Sequence, residues 1–161
     1  MNKFIHLGLL AIVVLFGQLR APLAAQPEQT KVAHLEGGYS IEIPMTLKVV
    51  QDRGMPDFVL YRVADRAGKQ LLLIYLGNFP KNQLESPHNA ISSSTLIGGY
   101  AATSIKWLNR GTTSSGSTLI HLKGSYPAFA QMIFQALSKG DSEIVERVVR
   151  SFRKDQTVES K

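Results

Sequence analysis

Phe58-Val59-Leu60-Tyr61-Arg62-Val63-Ala64, then Asp65-Arg66-Ala67-Gly68-Lys69, then Gln70-Leu71-Leu72-Leu73-Ile74-Tyr75-Leu76-Gly77 is the stretch whose reading decides the fold. Both ends are rich in β-branched, aromatic and aliphatic residues, which suit a pleated, half-buried surface. The polar middle is a hairpin turn in which Gly68 takes a positive φ without a Cβ clash. Leu71 to Leu76 is apolar at every position, so the returning strand is expected to be central and covered on both faces.

Upstream, Tyr39-Ser40-Ile41-Glu42-Ile43-Pro44 alternates with period two and stops at proline, a half-buried strand. Thr46 to Val50 continues it as a second short strand, and Gln51 to Asp57, with Asp52, Gly54 and Pro56, reads as a turn-rich loop. Downstream, Asn78 to Thr95 is irregular, with a short helical insert expected from Pro87 to Ser94 behind a Ser86 cap. A strand runs from Ile97 to Leu108, opened by Gly98-Gly99. Asn109 to Gly116 is a polar turn, and Ser117 to Lys123 pairs back. Tyr126 to Leu137 fits a helix by spacing and a strand over Phe129 to Phe134; the strand is preferred. Asp141 to Arg153 is a helix capped by Asp141 or Ser142. Glu143–Arg147 and Glu146–Arg150 stand four apart, and Ile144, Val145, Val148, Val149 and Phe152 form one apolar stripe.

The chain opens with Lys3, an uncharged apolar run from Phe4 to Gly17, then Arg20 and the small-residue stretch Ala21 to Ala25. That is the layout of a secretory signal. The run spans about 21 Å as a helix, short of the roughly 30 Å of a bilayer core. The expected organisation is a signal peptide over 1–25, a flexible leader over 26–38, one domain over 39–153 and a disordered tail over 154–161. Export to the periplasm follows, with cleavage near Ala25 and no stable membrane insertion afterwards; the alternative is that the segment is kept as an uncleaved membrane anchor. The leader and domain are large enough to hold a core without staples. The chain contains no cysteine, which excludes thiol catalysis, thiolate metal sites and a lipidated cysteine.

The 18 basic and 12 acidic residues fall to 16 against 12, a net of +4, once Lys3 and Arg20 are removed. Arg147, Arg150, Arg153 and Lys154 concentrate part of that excess at the end of the last helix. They offset the helix dipole there and are the residues nominated for partner contact. A nucleic-acid role is set aside because the chain is read as exported.

No catalytic pattern survives inspection. Gly111 to Thr118 has the glycine spacing of a phosphate loop, but Ser117 stands where the lysine belongs and a strand follows instead of a helix. His34, His88 and His121 lack metal-ligand spacing. Ser92-Ser93-Ser94 lies in no nucleophile elbow, and the carboxylates are scattered. Neither a catalytic residue, a metal nor a cofactor is assigned. Tyr61, Tyr75, Phe79, Tyr100, Trp107 and Tyr126 are the aromatic residues that a ligand groove would use.

The segments Tyr39 to Pro44 and Ile144-Val145-Glu146-Arg147-Val148-Val149-Arg150-Ser151-Phe152, with the order of elements between them, resemble the Mog1/PsbP-like α/β/α sandwich domains of exported bacterial proteins. The resemblance covers most of the domain as layout and carries no site residues. It implies an accessory or binding protein. The fold class expected is α+β: a mostly antiparallel sheet of about six or seven strands, with a short helical insert and a C-terminal helix packed on it. The function expected is a non-catalytic binding protein that holds another protein of the cell envelope. An immunity-type inhibitor of a periplasmic toxin is one form of it. The alternatives are a carrier of a small apolar ligand and an enzyme with a dispersed site.

Overall fold

In a computed structural model of the protein, residues 28–80, 88–109 and 113–155 are described, the side chains of 53–55 excepted. In chain order the elements are β1 (Thr30–Leu35), β2 (Tyr39–Pro44), β3 (Lys48–Met55), β4 (Phe58–Ala64), β5 (Gln70–Gly77), β6 (Ile91–Ile97), β7 (Tyr100–Leu108), β8 (Ser114–His121), β9 (Phe129–Leu137), α1 (Lys139–Arg150) and β10 (Arg153–Lys154). Seven strands make one antiparallel sheet in the order β3-β4-β5-β9-β8-β7-β6, and β1-β2-β10 make a second, small sheet. The fold is α+β and mostly antiparallel, with one helix near the C-terminus of the described chain.

Period-two alternation sorts the large sheet into two faces. Val59, Tyr61 and Val63 of β4, Leu72, Ile74 and Leu76 of β5, and Ala130, Met132 and Phe134 of β9 are all buried. Their registers, Tyr61 opposite Ile74 and Ile74 opposite Met132, place them on one face. Onto that face α1 presses Val145, Val148 and Val149, beside Ile41 and Ile43 of β2 and the fully buried Phe152. The helix contacts β9, β5, β8 and β2. Its 12 residues span about 18 Å. A seven-stranded sheet is roughly 29 Å wide at about 4.8 Å per strand. The helix lies over β5, β9 and β8 and reaches β7 through Glu146 and Lys106, 2.7 Å apart, while Ile97 of β6 and Ala102 of β7 are buried in the same core.

The helix begins one turn earlier than expected. Ser138, not Asp141 or Ser142, is the N-cap, its hydroxyl accepting from the Asp141 amide. Asp141 instead accepts the Lys69 ammonium at 2.7 Å and the Ser138 hydroxyl at 2.9 Å. At the other end the helix stops at Arg150. The Ser151 hydroxyl donates to the Val148 carbonyl and accepts from the Glu42 amide, locking the helix end to β2.

Several expectations need correction. The leader is not featureless: Thr30 to Leu35 pair with β2 as β1. Gln51 to Met55 extend β3 through a bulge between Asp52 and Met55 instead of forming a loop. The helical insert is not found: Ile91 to Ser94 belong to strand β6, while Ser86 and Pro87 lie outside the described residues. Its serines are too poor as helix formers to beat the ladder that β7 offers. Arg153 and Lys154 are not helical or tail residues but a strand on β2. Tyr126 to Leu137 resolves as a strand over Phe129–Leu137. The signal-peptide reading over 1–25 and the tail beyond Asp155 lie outside the described residues.

Candidate functional site

The face of the large sheet away from α1 has no described element packed on it. β5 is central, as its sequence implied, but the cover expected on its second face is absent among the described residues. The residues pointing there alternate between apolar and polar: the rows Leu60–Tyr75–Gln131–Leu119–Thr103 and Arg62–Leu73–Ile133–Ser117–Ile105 cross five strands. Leu60, Leu73, Ile133, Leu119 and Ile105 are each half-buried, and Leu73 and Ile133 are direct cross-strand partners.

One end of this face is aromatic. The Phe58 and Tyr75 rings stack at 5.4 Å between centroids. They close over Gly77, where a Cβ would fall 2.5 Å from the Tyr75 hydroxyl and 2.7 Å from the Phe58 Cβ, so glycine is what lets the rings lie flat on the strand. Phe129 stands opposite Gly77 and meets the His121 ring edge-on at 5.1 Å. Phe79 follows two residues on, 78% exposed, its amide donating to the Tyr75 hydroxyl at 2.9 Å.

A second concavity lies on the opposite face, between α1 and the strands β7 and β6. Its volume is about 450 Å³. Ser104 and Thr118 share a buried hydrogen bond of 2.9 Å on its floor. Glu146 stands at its wall, 2.7 Å from the Lys106 ammonium and 3.8 Å from the Arg150 guanidinium. A hydroxyl pair without a base, beside a carboxylate already held by two cations, is no arrangement for acid–base or nucleophilic work. Among the described residues no three His, Asp or Glu side chains come together in a way that would hold a metal ion. None of the described helices is long and apolar enough to cross a membrane.

The four cations nominated from sequence do not form one patch. Arg147 leaves along the helix to Glu28 at 2.6 Å, and Arg150 reaches the groove wall. Arg153 bonds Glu42 at 2.7 Å across the small sheet, and Lys154 lies 6.0 Å from the centroid of the Tyr39 ring. His34 and Asp155, 2.9 Å apart, join Arg153 and Lys154 around a shallow depression. The aromatic residues are likewise split. Tyr39, Tyr100 and Phe152 pack together on the helix side, and Tyr61 is buried with its hydroxyl accepting from the Glu36 amide. Burial, with Tyr100 nearby, pushes the Tyr39 phenol up, and burial does the same for Tyr61. The sequence signal for the apolar residues of that face was the two-sided run Leu71 to Leu76; nothing pointed to the groove, whose parts come from β6, β7, β8, β9 and α1. Neither a known family model nor a curated protein matches this chain.

Proposed function

We propose that the protein is a non-catalytic binding or accessory protein of the periplasm, exported by its N-terminal signal, which works by holding another protein of the cell envelope. The observation that supports this reading is the aromatic end of the sheet face away from α1, with the exposed Phe79 and the half-buried aliphatic residues that run on from it. Uncovered apolar area of this kind costs free energy in water and is recovered when a partner seals it. Aromatic side chains at its end are the groups that anchor protein interfaces most strongly. An immunity-type inhibitor of a periplasmic toxin is the narrowest form of this reading. The groove chemistry gives no support to an enzyme. The dispersal of the aromatic residues over two faces gives none to a carrier with an aromatic-lined pocket.

The test is co-purification of the protein from its own envelope beside a Phe79→Asp, Leu119→Asp variant. Retention of one dominant partner by the wild type and its loss from the variant, with unchanged thermal unfolding, is the expected result. Equal retention by both would remove this face from the contact. A wild type that holds nothing would end the protein-binding reading.

A further inference from the structure

β6 is the last strand of the large sheet, and no described strand lies against its outer side. It reads Ile91-Ser92-Ser93-Ser94-Thr95-Leu96-Ile97, with no charge, no proline and no glycine, and its register with β7 is unbroken from Ile91–Lys106 to Ile97–Tyr100. Ile91 and Leu96 are 74% and 71% exposed. Natural sheets blunt their edges with charges, bulges or proline, because an open edge is a template for another strand. This edge carries none of those devices.

The turn sets which backbone groups are free. Gly98 and Gly99 have φ of +57° and +84°, a two-residue turn of the kind that closes tight hairpins. In such a hairpin the flanking pair, Ile97 and Tyr100, exchanges both backbone hydrogen bonds. Alternation then turns Thr95, Ser93 and Ile91 inward to β7. The amides and carbonyls of Ser92, Ser94 and Leu96 therefore point away from the sheet.

The heptapeptide is also complementary to itself. Run antiparallel about its central residue, Ser94 meets Ser94, Ser92 meets Leu96, Ser93 meets Thr95 and Ile91 meets Ile97. Ser92, Ser94 and Leu96 each find a partner residue whose amide and carbonyl also face outward, and this is the register that overlaps all seven residues without bringing any charge opposite another. We propose that β6 pairs with β6 of a second copy of this chain, with a two-fold axis through Ser94. Such a contact is isologous and closed, which stops it at two copies. It joins the two large sheets edge to edge and sets Ile91 of each copy on Ile97 of the other. The two grooves between α1 and β6 then merge into one trough. The contact uses a different surface from the apolar face.

Because the chain contains no cysteine, single thiols can read this register directly. In the proposed dimer the two Ser94 Cα atoms are about 5.5 Å apart, within disulfide range. The two Ser92 Cα atoms are about 13 Å apart along the strands and out of range. Under mild oxidation the Ser94→Cys protein should cross-link with itself. Ser92→Cys and Leu96→Cys should each stay single and cross-link only when mixed. Sedimentation of the wild-type chain, as its host processes it, should give a mass that doubles with concentration. Ser94→Lys, which sets two ammonium groups face to face on the axis, should weaken association at least tenfold at low salt, with partial recovery at high salt and unchanged thermal unfolding. A wild type that is monomeric at every concentration overturns the proposal. So does cross-linking of Ser92→Cys alone, or association indifferent to Ser94→Lys.

Discussion

The two edges of the large sheet are opposite in design. β3 at one end carries Lys48 and Asp52, is broken by a bulge after Asp52, and ties Asp52 to Arg62 across the strand at 2.6 Å. β6 at the other end is uncharged and in register throughout. Guarding one edge and not the other teaches that edge protection here is local, written strand by strand in charge and register. Overall net charge and sheet size do not decide it. The bare edge also borders the groove between α1 and β6.

The sharpest way to break the comparison is to remove the hairpin that presents the bare edge. A Cβ at Gly98 would press into the Phe152 carbonyl, and its φ of +57° disfavours a branched side chain. Gly98→Val should therefore lose about 3 kcal/mol in urea unfolding, through strain and clash together. Next in size is Ser104→Ala, under the same strands. It leaves the buried Thr118 hydroxyl without its 2.9 Å partner and should cost about 1–3 kcal/mol by the same measurement.

Exchanging the guards should leave stability almost untouched. Leu96→Lys places a charge on an exposed position of β6 and should stay within about 0.5 kcal/mol of wild type in unfolding while suppressing concentration-dependent light scattering. Asp52→Leu, in the reverse sense, should raise scattering at β3, though the remaining bulge limits the rise. Scattering that ignores both changes would mean that neither edge governs association.

The smallest effect expected is electrostatic. Hydrogen bonds from Lys69 and Ser138 hold the Asp141 carboxyl below its ordinary range, and Asp141 raises Lys69. A depressed carboxyl contributes stability that is present above its unfolded value, about 3.9, and lost as pH falls through the folded one. The raised Lys69 contributes below its unfolded value, about 10.4, and loses that contribution as pH rises through the folded one. Asp141→Asn should accordingly flatten the acid limb of the stability profile between about pH 4 and the folded value. A steep acid limb in the variant would assign it to other carboxylates.

What was legible in the sequence was what burial had patterned. The β4–β5 hairpin and β2 alternate or run apolar because a core lies against them, and α1 shows a stripe because it lies on the sheet. β1 escaped because only Leu35 of its six residues is buried, so no alternation betrays it. β6 escaped for the same reason: only Ile97 is buried, and three serines mimic a loop. β9 stayed ambiguous because Phe129, Met132 and Ile133 satisfy helical spacing, while Ala130, Met132 and Phe134 are the alternation the core uses. The candidate face was half legible. The run Leu71 to Leu76 announced two apolar sides, but whether the second side is covered depends on elements that this run does not encode.

The small sheet fastens the beginning of the described domain to its end. Arg153 and Lys154 pair with β2, the Asp155 amide donates to the Gly38 carbonyl at 2.7 Å, and Arg147 reaches back to Glu28. The core residue Phe152 sits inside that clasp. A chain emerging from the ribosome therefore lacks its closing pieces until residue 155 has been made, however early its hairpins form. The last residues made are thus the ones that close the first.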